Sequence, residues 1–445
     1  MDIGVPQPRA RAIITKLVRE ALQAVDPYGA VSRHVSLTSR ILRVGPRAFA
    51  LKPRSRVVVV GAGKASARMA QALEGRLGSR IAAGVVVVKY GHTLPTKTIR
   101  VVEAGHPVPD APGLAAAQDI LNLCRSLGKD DVLIVLLSGG ASSLLPSPVP
   151  GISLADKQTT TKLLLRSGAT IQEMNAVRKH LSAVKGGQLA GITSARVLSL
   201  ILSDVIGNDL ATIGSGPTTP DPTTFRQAKE ILDHYDVFHT VPAAVRKRIT
   251  DGIGQLVPET PKPGAALFRR VHNCLIGDNE AAVDAVLLAA RREKLKTLVL
   301  GTTLTGEARD AAKCFGALAR EIDVRKRPLR RPCLVVAGGE LTVTVRGQGT
   351  GGRAQEFALA AASEIMGIRN GWVAGFATDG TDGPTDVAGA VVDGQTMARA
   401  ERAGVSVTQA LQENNAYPLF RQLRGHIRTG PTGTNVNDLY LLLLL

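Results

Sequence analysis

Three glycine-rich turns and two runs of carboxylates hold the residue types that handle anions. The first turn, Gly61-Ala-Gly63-Lys64-Ala-Ser66, follows the apolar run Val57–Val60 and leads into a segment of helical composition. A lysine at a helix start, flanked by glycines, can meet an anion, because free N–H groups and the helix dipole favour negative charge there. The bland alternative is a tight strand-to-helix turn with an outward-pointing lysine. The turn begins like a dinucleotide fingerprint, but Ser66 stands at the third glycine position. The next strand ends in Lys89 instead of an acid that would hold a ribose hydroxyl. A Walker A loop fails as well, since Val58 occupies its first glycine position and Ala65 replaces the Ser/Thr.

The second turn is Ser138-Gly139-Gly140-Ala141-Ser142-Ser143, directly after the apolar Val132–Leu137. Small residues and hydroxyls at a strand end suit an oxyanion or phosphate site. The GxSxG signature of a hydrolase nucleophile is absent. The third is the Gly347–Gly352 loop ahead of Arg353, with glycines at 347, 349, 351 and 352. Arg353 adds a planar fork suited to phosphate or carboxylate. A flexible hairpin loop is the alternative there.

Carboxylates gather in Ser203-Asp204-Val-Ile-Gly-Asn208-Asp209 and in Thr378-Asp379-Gly-Thr-Asp382-Gly-Pro-Thr-Asp386. Asp204 and Asp379 lie just past apolar strands and are the candidate Mg²⁺ ligands, because Mg²⁺ takes one or two carboxylates and keeps most of its waters. Ala390 stands where an EF-hand needs a bidentate Glu, which excludes that calcium loop. Asx-turns and helix caps explain isolated aspartates equally well. In Gln172–Gly187, Asn175, Lys179 and Ser182 share one helical face. A solvated face and a substrate-binding face both remain open. His180 reads as a capping or core histidine, and His106, in a proline-stiffened loop, has no assigned role. Anion-binding turns, a helix-terminal lysine, a loop arginine and strand-end aspartates are together the parts of phosphoryl transfer, which depends on cation clamps, metal and positioning.

The elements that must position these groups alternate between apolar strands and helices. Val57–Val60, Gly84–Val88, Val132–Leu137 and Val197–Leu202 read as strands, with helices over Ala65–Glu74, Ala115–Leu127, Asp156–Arg166 and Gln172–Ala183. This alternation predicts right-handed βαβ units around a mostly parallel sheet. Leu275–Gly277, Leu298–Gly301, Leu334–Ala337 and Val373–Ala377 read as further strands, and Leu341–Arg346 alternates like a hairpin strand. Two α/β domains are expected: a Rossmann-like domain over residues 1–248 and a smaller mixed α/β domain over 270–445. The Gly/Pro-rich 249–269 would connect them.

Composition agrees. The chain has 445 residues, 44% of them hydrophobic but only 3% aromatic, so an aliphatic core is required. The four cysteines are scattered without metal spacing, which predicts free thiols in a reducing, cytoplasmic setting. The N-terminus has no apolar h-region, and no apolar run reaches the ~20 residues of a membrane span. A net charge of +18 raises nucleic-acid binding as a rival reading. The charge is dispersed and lacks interleaved aromatic residues, so a basic surface on an enzyme with anionic substrates is expected instead.

The segments VVVVGAGKAS (57–66), GHPVPD (105–110), LLSGGASSLL (136–145), EMNAVRKHLSAVKGGQLA (173–190), LILSDVIGNDLATIGSGPT (200–218), GGELTVTV (338–345), GTGGRAQEFALA (349–360), ATDGTDGPTDVAGA (377–390) and TGPTGTNVNDLYLLL (429–443) closely resemble the glycerate 2-kinases with a C-terminal MOFRL domain. The resemblance runs in order along nearly the whole chain. It implies two α/β domains with the active site in the cleft between them, ATP and Mg²⁺ as cofactors, and D-glycerate converted to 2-phosphoglycerate. It also implies Lys64 and Arg353 as active-site residues. With Asp204 as metal ligand or base, these are the expected catalytic set. Gly61, Gly63, Ser138, Gly139, Gly140, Ser142, Asn208, Gly351 and Gly352 are the expected phosphate- and substrate-binding positions. No partner beyond the small-molecule substrates is expected, neither nucleic acid nor membrane; a homodimer is compatible with the sequence. Members of the family are sometimes labelled hydroxypyruvate reductases, and an NAD(P)H-dependent reductase is the second reading, which Ser66 and Lys89 oppose.

Overall fold

The computed structural model describes all 445 residues, in two compact units. One comprises Pro27–Ile276 and the other Met1–Asp26 with Gly277–Leu445. This division differs from the expected 1–248 and 270–445. The amphipathic helix Pro8–Ala24 buries Ile13, Ile14, Leu17 and Val18 and packs on the helix Asn279–Arg292, with a Lys16–Glu293 ion pair at 2.6 Å. The first residues therefore belong with the C-terminal half. The expected connection at 249–269 lies wholly inside the first unit and holds the end of the helix Ala243–Ile253.

The Pro27–Ile276 unit is built on a six-stranded sheet. Its order is Val271–Gly277, Arg196–Leu202, Val132–Leu137, Val57–Ala62, Ile81–Lys89, Ile99–Ala104. The last five strands in that order are parallel neighbours. Val57–Ala62 and Val132–Leu137 are buried at every position, as a parallel sheet covered on both faces requires. The chain starts at Val57–Ala62, winds outward through two strands, then returns to the other side of its starting strand. The winding reverses between Val57–Ala62 and Val132–Leu137, and in open α/β sheets ligands bind at the carboxyl ends of strands at such a point.

The second unit carries a seven-stranded mixed sheet. Lys296–Leu304 and Cys333–Gly339 run parallel. Asp438–Leu444 lies between Cys333–Gly339 and Gly371–Ala377, antiparallel to both over seven register pairs on each side. The apolar run near the C-terminus is thus a central strand, buried at all positions. The hairpin strand expected at Leu341–Arg346 does not form; Thr342 makes only one isolated bridge, to Glu307. Alternation alone could not place it, because it has no antiparallel neighbour to complete a ladder.

Candidate active site

At the reversal point the first two glycine turns lock each other. The Lys64 amide donates to the Gly139 carbonyl at 2.9 Å, the Ala65 amide to Ser138 Oγ at 3.0 Å, and the Ser138 amide to the Ala62 carbonyl at 3.2 Å. Gly63 has φ +138°, and a Cβ there would lie 2.1 Å from Ser138 Oγ. A Cβ on Gly61 would lie 2.3 Å from the Leu136 carbonyl oxygen. Gly61, Gly63 and the Ser138 hydroxyl therefore hold the two strand ends together, while the Gly139 and Gly140 amides donate to no backbone carbonyl. Gly140 has φ +87°, a left-handed conformation that favours glycine.

Asp204, just past Arg196–Leu202, brings its carboxylate against Gly139: a Cβ on Gly139 would lie 2.2 Å from Asp204 Oδ2. On the other flank His106 approaches Gly140, whose added Cβ would lie 3.0 Å from His106 Nε2. Gly139→Ala must displace Asp204, so its melting temperature is expected to fall by about 3 °C or more. Calorimetry of the variant checks this, and an unchanged melting temperature would refute the close approach.

The ends of the Val57–Ala62, Ile81–Lys89 and Ile99–Ala104 strands add positive charge. His92 Nδ1 lies 3.2 Å from the Lys64 carbonyl oxygen. Burial, then Lys64, Lys89 and His92, push the His106 pKa down to about 4, so its imidazole is neutral at physiological pH. His92 is lowered for the same kind of reasons, with burial first. Two imidazoles with lowered pKa values thus lie beside Lys64 and Lys89, with Glu103 the carboxylate that acts on His92 in the opposite sense. Sequence reasoning gave His106 no role. The signal was the Gly105–Asp110 loop itself, which carries a histidine to a strand end.

The segment Gln172–Gly187 is not a solvated face. Asn175, Lys179, Ser182 and Lys185 are all buried. His180 is a core histidine, as expected: Nδ1 meets the Ala176 carbonyl at 2.7 Å and Nε2 meets Glu259 at 2.9 Å. Ser142 Oγ is 3.0 Å from Ser215 Oγ, which donates to Asn175 Oδ1 at 3.0 Å. Asn208, at φ +58°, sits in the short turn Ile206–Asn208 after Asp204.

In the other unit Arg353 starts the helix Arg353–Glu364. Its guanidinium grips Asp438 through two bonds, Nε to Oδ2 at 2.5 Å and Nη2 to Oδ1 at 3.1 Å, and reaches Glu340 at 2.6 Å. Asp438 is fully buried; burial pushes its pKa up to about 7 although Arg353 pulls it back, and the Tyr440 hydroxyl donates to it at 2.9 Å. The amides of Ala354 and Gln355 donate to Asp382 at 3.0 and 2.8 Å, so a remote carboxylate caps this helix. The preceding loop is anchored: the Gly347 and Thr350 amides donate to Asn414 and Asn415, and the Gly349 amide to the Glu413 carbonyl. Added Cβ atoms on Gly351 and Gly352 would press on Ala416 and Asp382, so these glycines allow close packing. Asp379 is half-buried and turns its Oδ1 to the Thr381 amide at 3.0 Å, an Asx-turn. No cluster of three or more His, Cys, Asp or Glu side chains suited to a metal exists in the chain.

A doubly wound sheet with a lysine, imidazoles, glycine amides and one aspartate at its reversal point defines an α/β enzyme that handles small anions. Residues 13–250 match the family described as a domain of unknown function, DUF4147, and residues 333–438 match the MOFRL family. The chain is 43% identical over 435 residues to the glycerate 2-kinase of Pyrococcus horikoshii, covering 98% of this chain and 97% of that one. It is 41% identical over 437 residues to the D-glycerate 2-kinase of Thermotoga maritima, covering 98% of each. The crystal structure of a Thermotoga maritima glycerate kinase superposes with a TM-score of 0.89 at 37% identity, covering 99% of this chain and all of that one. The chain belongs to the glycerate kinase family with a MOFRL domain.

Proposed function

We infer that this chain transfers a phosphoryl group from ATP to the 2-hydroxyl of D-glycerate, giving 2-phosphoglycerate and ADP. The observation that carries this reading beyond kinship is the cluster of basic side chains and glycine turns at the reversal point. Lys64, Lys89 and the Gly139–Gly140 amides offer positive charge where a transferring phosphoryl group would be neutralised. Lys64 is proposed as the clamp on the transferring group and Arg353 as the fork for the substrate carboxylate.

Mg²⁺ would need only one carboxylate from this chain, since it keeps most of its waters and takes its other oxygens from phosphates. Asp204, packed on Gly139, is the carboxylate that suits it or that accepts the hydroxyl proton. Asp379 is the second candidate carboxylate; its Oδ1 accepts from the Thr381 amide at 3.0 Å. Mg²⁺ would supply charge neutralisation; the residues named here orient the substrates and hold the oxygens.

All four cysteines are unpaired and no helix is long and apolar enough to cross a membrane, which supports a cytoplasmic enzyme acting on small molecules. Purified protein with ATP, Mg²⁺ and D-glycerate is expected to release ADP and to feed enolase directly, without added mutase. Enolase accepts the 2-phosphate only, so ADP release without an enolase signal would overturn the 2-hydroxyl assignment. Oxidation of NADH by hydroxypyruvate in the absence of ATP would replace the kinase with the reductase.

A further inference from the structure

Within the Pro27–Ile276 unit, a cavity of about 250 Å³ opens between the Gly105–Asp110 loop, Ser142–Ser143 and the helices Leu154–Arg166 and Ile171–His180. Lys157, Lys162, Arg178 and Lys185 line it, and no acidic side chain does. Lys185 is 3% exposed, and its ammonium donates only to neutral oxygens: the Ser142 carbonyl and Oγ, both at 2.8 Å, and Ser215 Oγ at 3.4 Å. Lys157 is 9% exposed, and its ammonium has no hydrogen-bond partner at all. Arg178 adds a half-buried guanidinium beside them.

A buried ammonium without a partner is costly, and proteins either pair it or neutralise it. This chain pairs one where the role is structural: Lys179, one residue from Arg178, lies 3.4 Å from the buried Asp221. Lys157 has no such acid, and burial together with Arg178 lowers its pKa to about 7. Three basic side chains converging without a carboxylate suit an anionic ligand, which would hold Lys157 and Lys185 in their charged forms against the burial that opposes charge. Pro107, Pro109, Pro146 and Leu165 give one part of the wall an apolar surface, beside the polar Ser143, Gln158 and Thr161. A phosphorylated three-carbon acid has no use for that surface, whereas a base and sugar do.

We propose that this cavity binds a nucleoside polyphosphate, its phosphate chain held by Lys157, Arg178 and Lys185 and its base against the proline-lined wall. Ser142 ties the cavity to the reversal point, two residues beyond Gly140, so the terminal phosphate of a chain seated here leads toward the Gly139–Gly140 amides. The assignment rests on the kinase reading, since it names the seat of the phosphoryl donor.

Isothermal titration of ADP, inorganic pyrophosphate and 2-phosphoglycerate into the full-length protein, Lys157→Met and Arg178→Gln tests it. Each substitution is expected to weaken ADP and pyrophosphate about tenfold or more, the loss of one charge-assisted contact, and to leave 2-phosphoglycerate unchanged. The Lys157→Met protein is expected to melt at or above the wild-type temperature, because a lone buried ammonium has been replaced by an apolar chain of similar length. Wild-type ADP affinity in both variants would overturn the site, even if phosphoglycerate is still formed. Loss of 2-phosphoglycerate binding with ADP unaffected would also overturn it. If both variants lose ADP while the wild-type protein forms no phosphoglycerate, the kinase reading fails and the nucleotide site stands.

Discussion

Lys64→Ala is expected to lower kcat/KM for D-glycerate by about 100-fold or more, the loss typical when one preorganised charge is removed from a phosphoryl-transfer site. The fold should survive, because Lys64 supports it through its backbone: its amide donates to Gly139 and its carbonyl oxygen faces His92, and alanine retains both. Removing the ammonium also removes the strongest single charge acting on His106, after burial. The His106 pKa is therefore expected to rise from about 4 toward the ordinary histidine range. Steady-state kinetics and an NMR titration of the ring measure the two consequences separately. Near-normal turnover would remove Lys64 from the reacting centre; an unmoved His106 titration would show that the two side chains do not share one field.

Arg353→Ala should do two things at once. Asp438 is fully buried and loses its bidentate partner, so the unit should be destabilised by about 3 kcal/mol, the cost of leaving a buried charge unpaired. Its carboxyl pKa, already pushed up by burial, loses the cation that pulls it back and rises further. The sign follows: with the folded pKa raised above the unfolded one, the variant's deficit is absent in acid, grows as pH rises above the unfolded value, and is complete above the folded pKa, at or beyond about 7. Denaturant unfolding across pH 5 to 8 reads this slope. In Arg353→Ala/Asp438→Asn the buried charge is gone and most of the stability should return, while activity stays low by about 100-fold. If the double variant recovers activity along with stability, Arg353 is a structural brace for the buried Asp438–Tyr440 pair and not a substrate fork.

Val57–Val60 and Val132–Leu137 were readable as strands because a buried parallel strand must be apolar at every position, whereas Ile99–Ala104, Gly389–Asp393 and His426–Arg428 were not read as strands. Glycine turns at strand ends, with Lys64 and Asp204 beside them, were legible for a similar reason: close backbone approach admits only glycine, and sheet topology puts ligands at carboxyl ends. The resemblance to the glycerate kinases named the chemistry; the residues alone reached phosphoryl transfer and no further.

What the tertiary structure decided is partnership across sequence distance. The run Tyr440–Leu445 is apolar in sequence, but only two neighbours from 333–339 and 371–377 make Asp438–Leu444 a central strand. The helix Pro8–Ala24 is amphipathic by itself, yet its apolar face fits a helix some 270 residues on, which moves the unit boundary. The glycine loop before Arg353 looked open to phosphate in sequence; Asp382 and the Glu413–Asn415 segment turn out to supply its acceptors. Lys157 and Lys185 lie 28 positions apart among many surface cations, and nothing local marks them. Burial beside each other, without an acid, is a property of the folded chain, because desolvation and charge convergence exist only once the helices that carry them have packed.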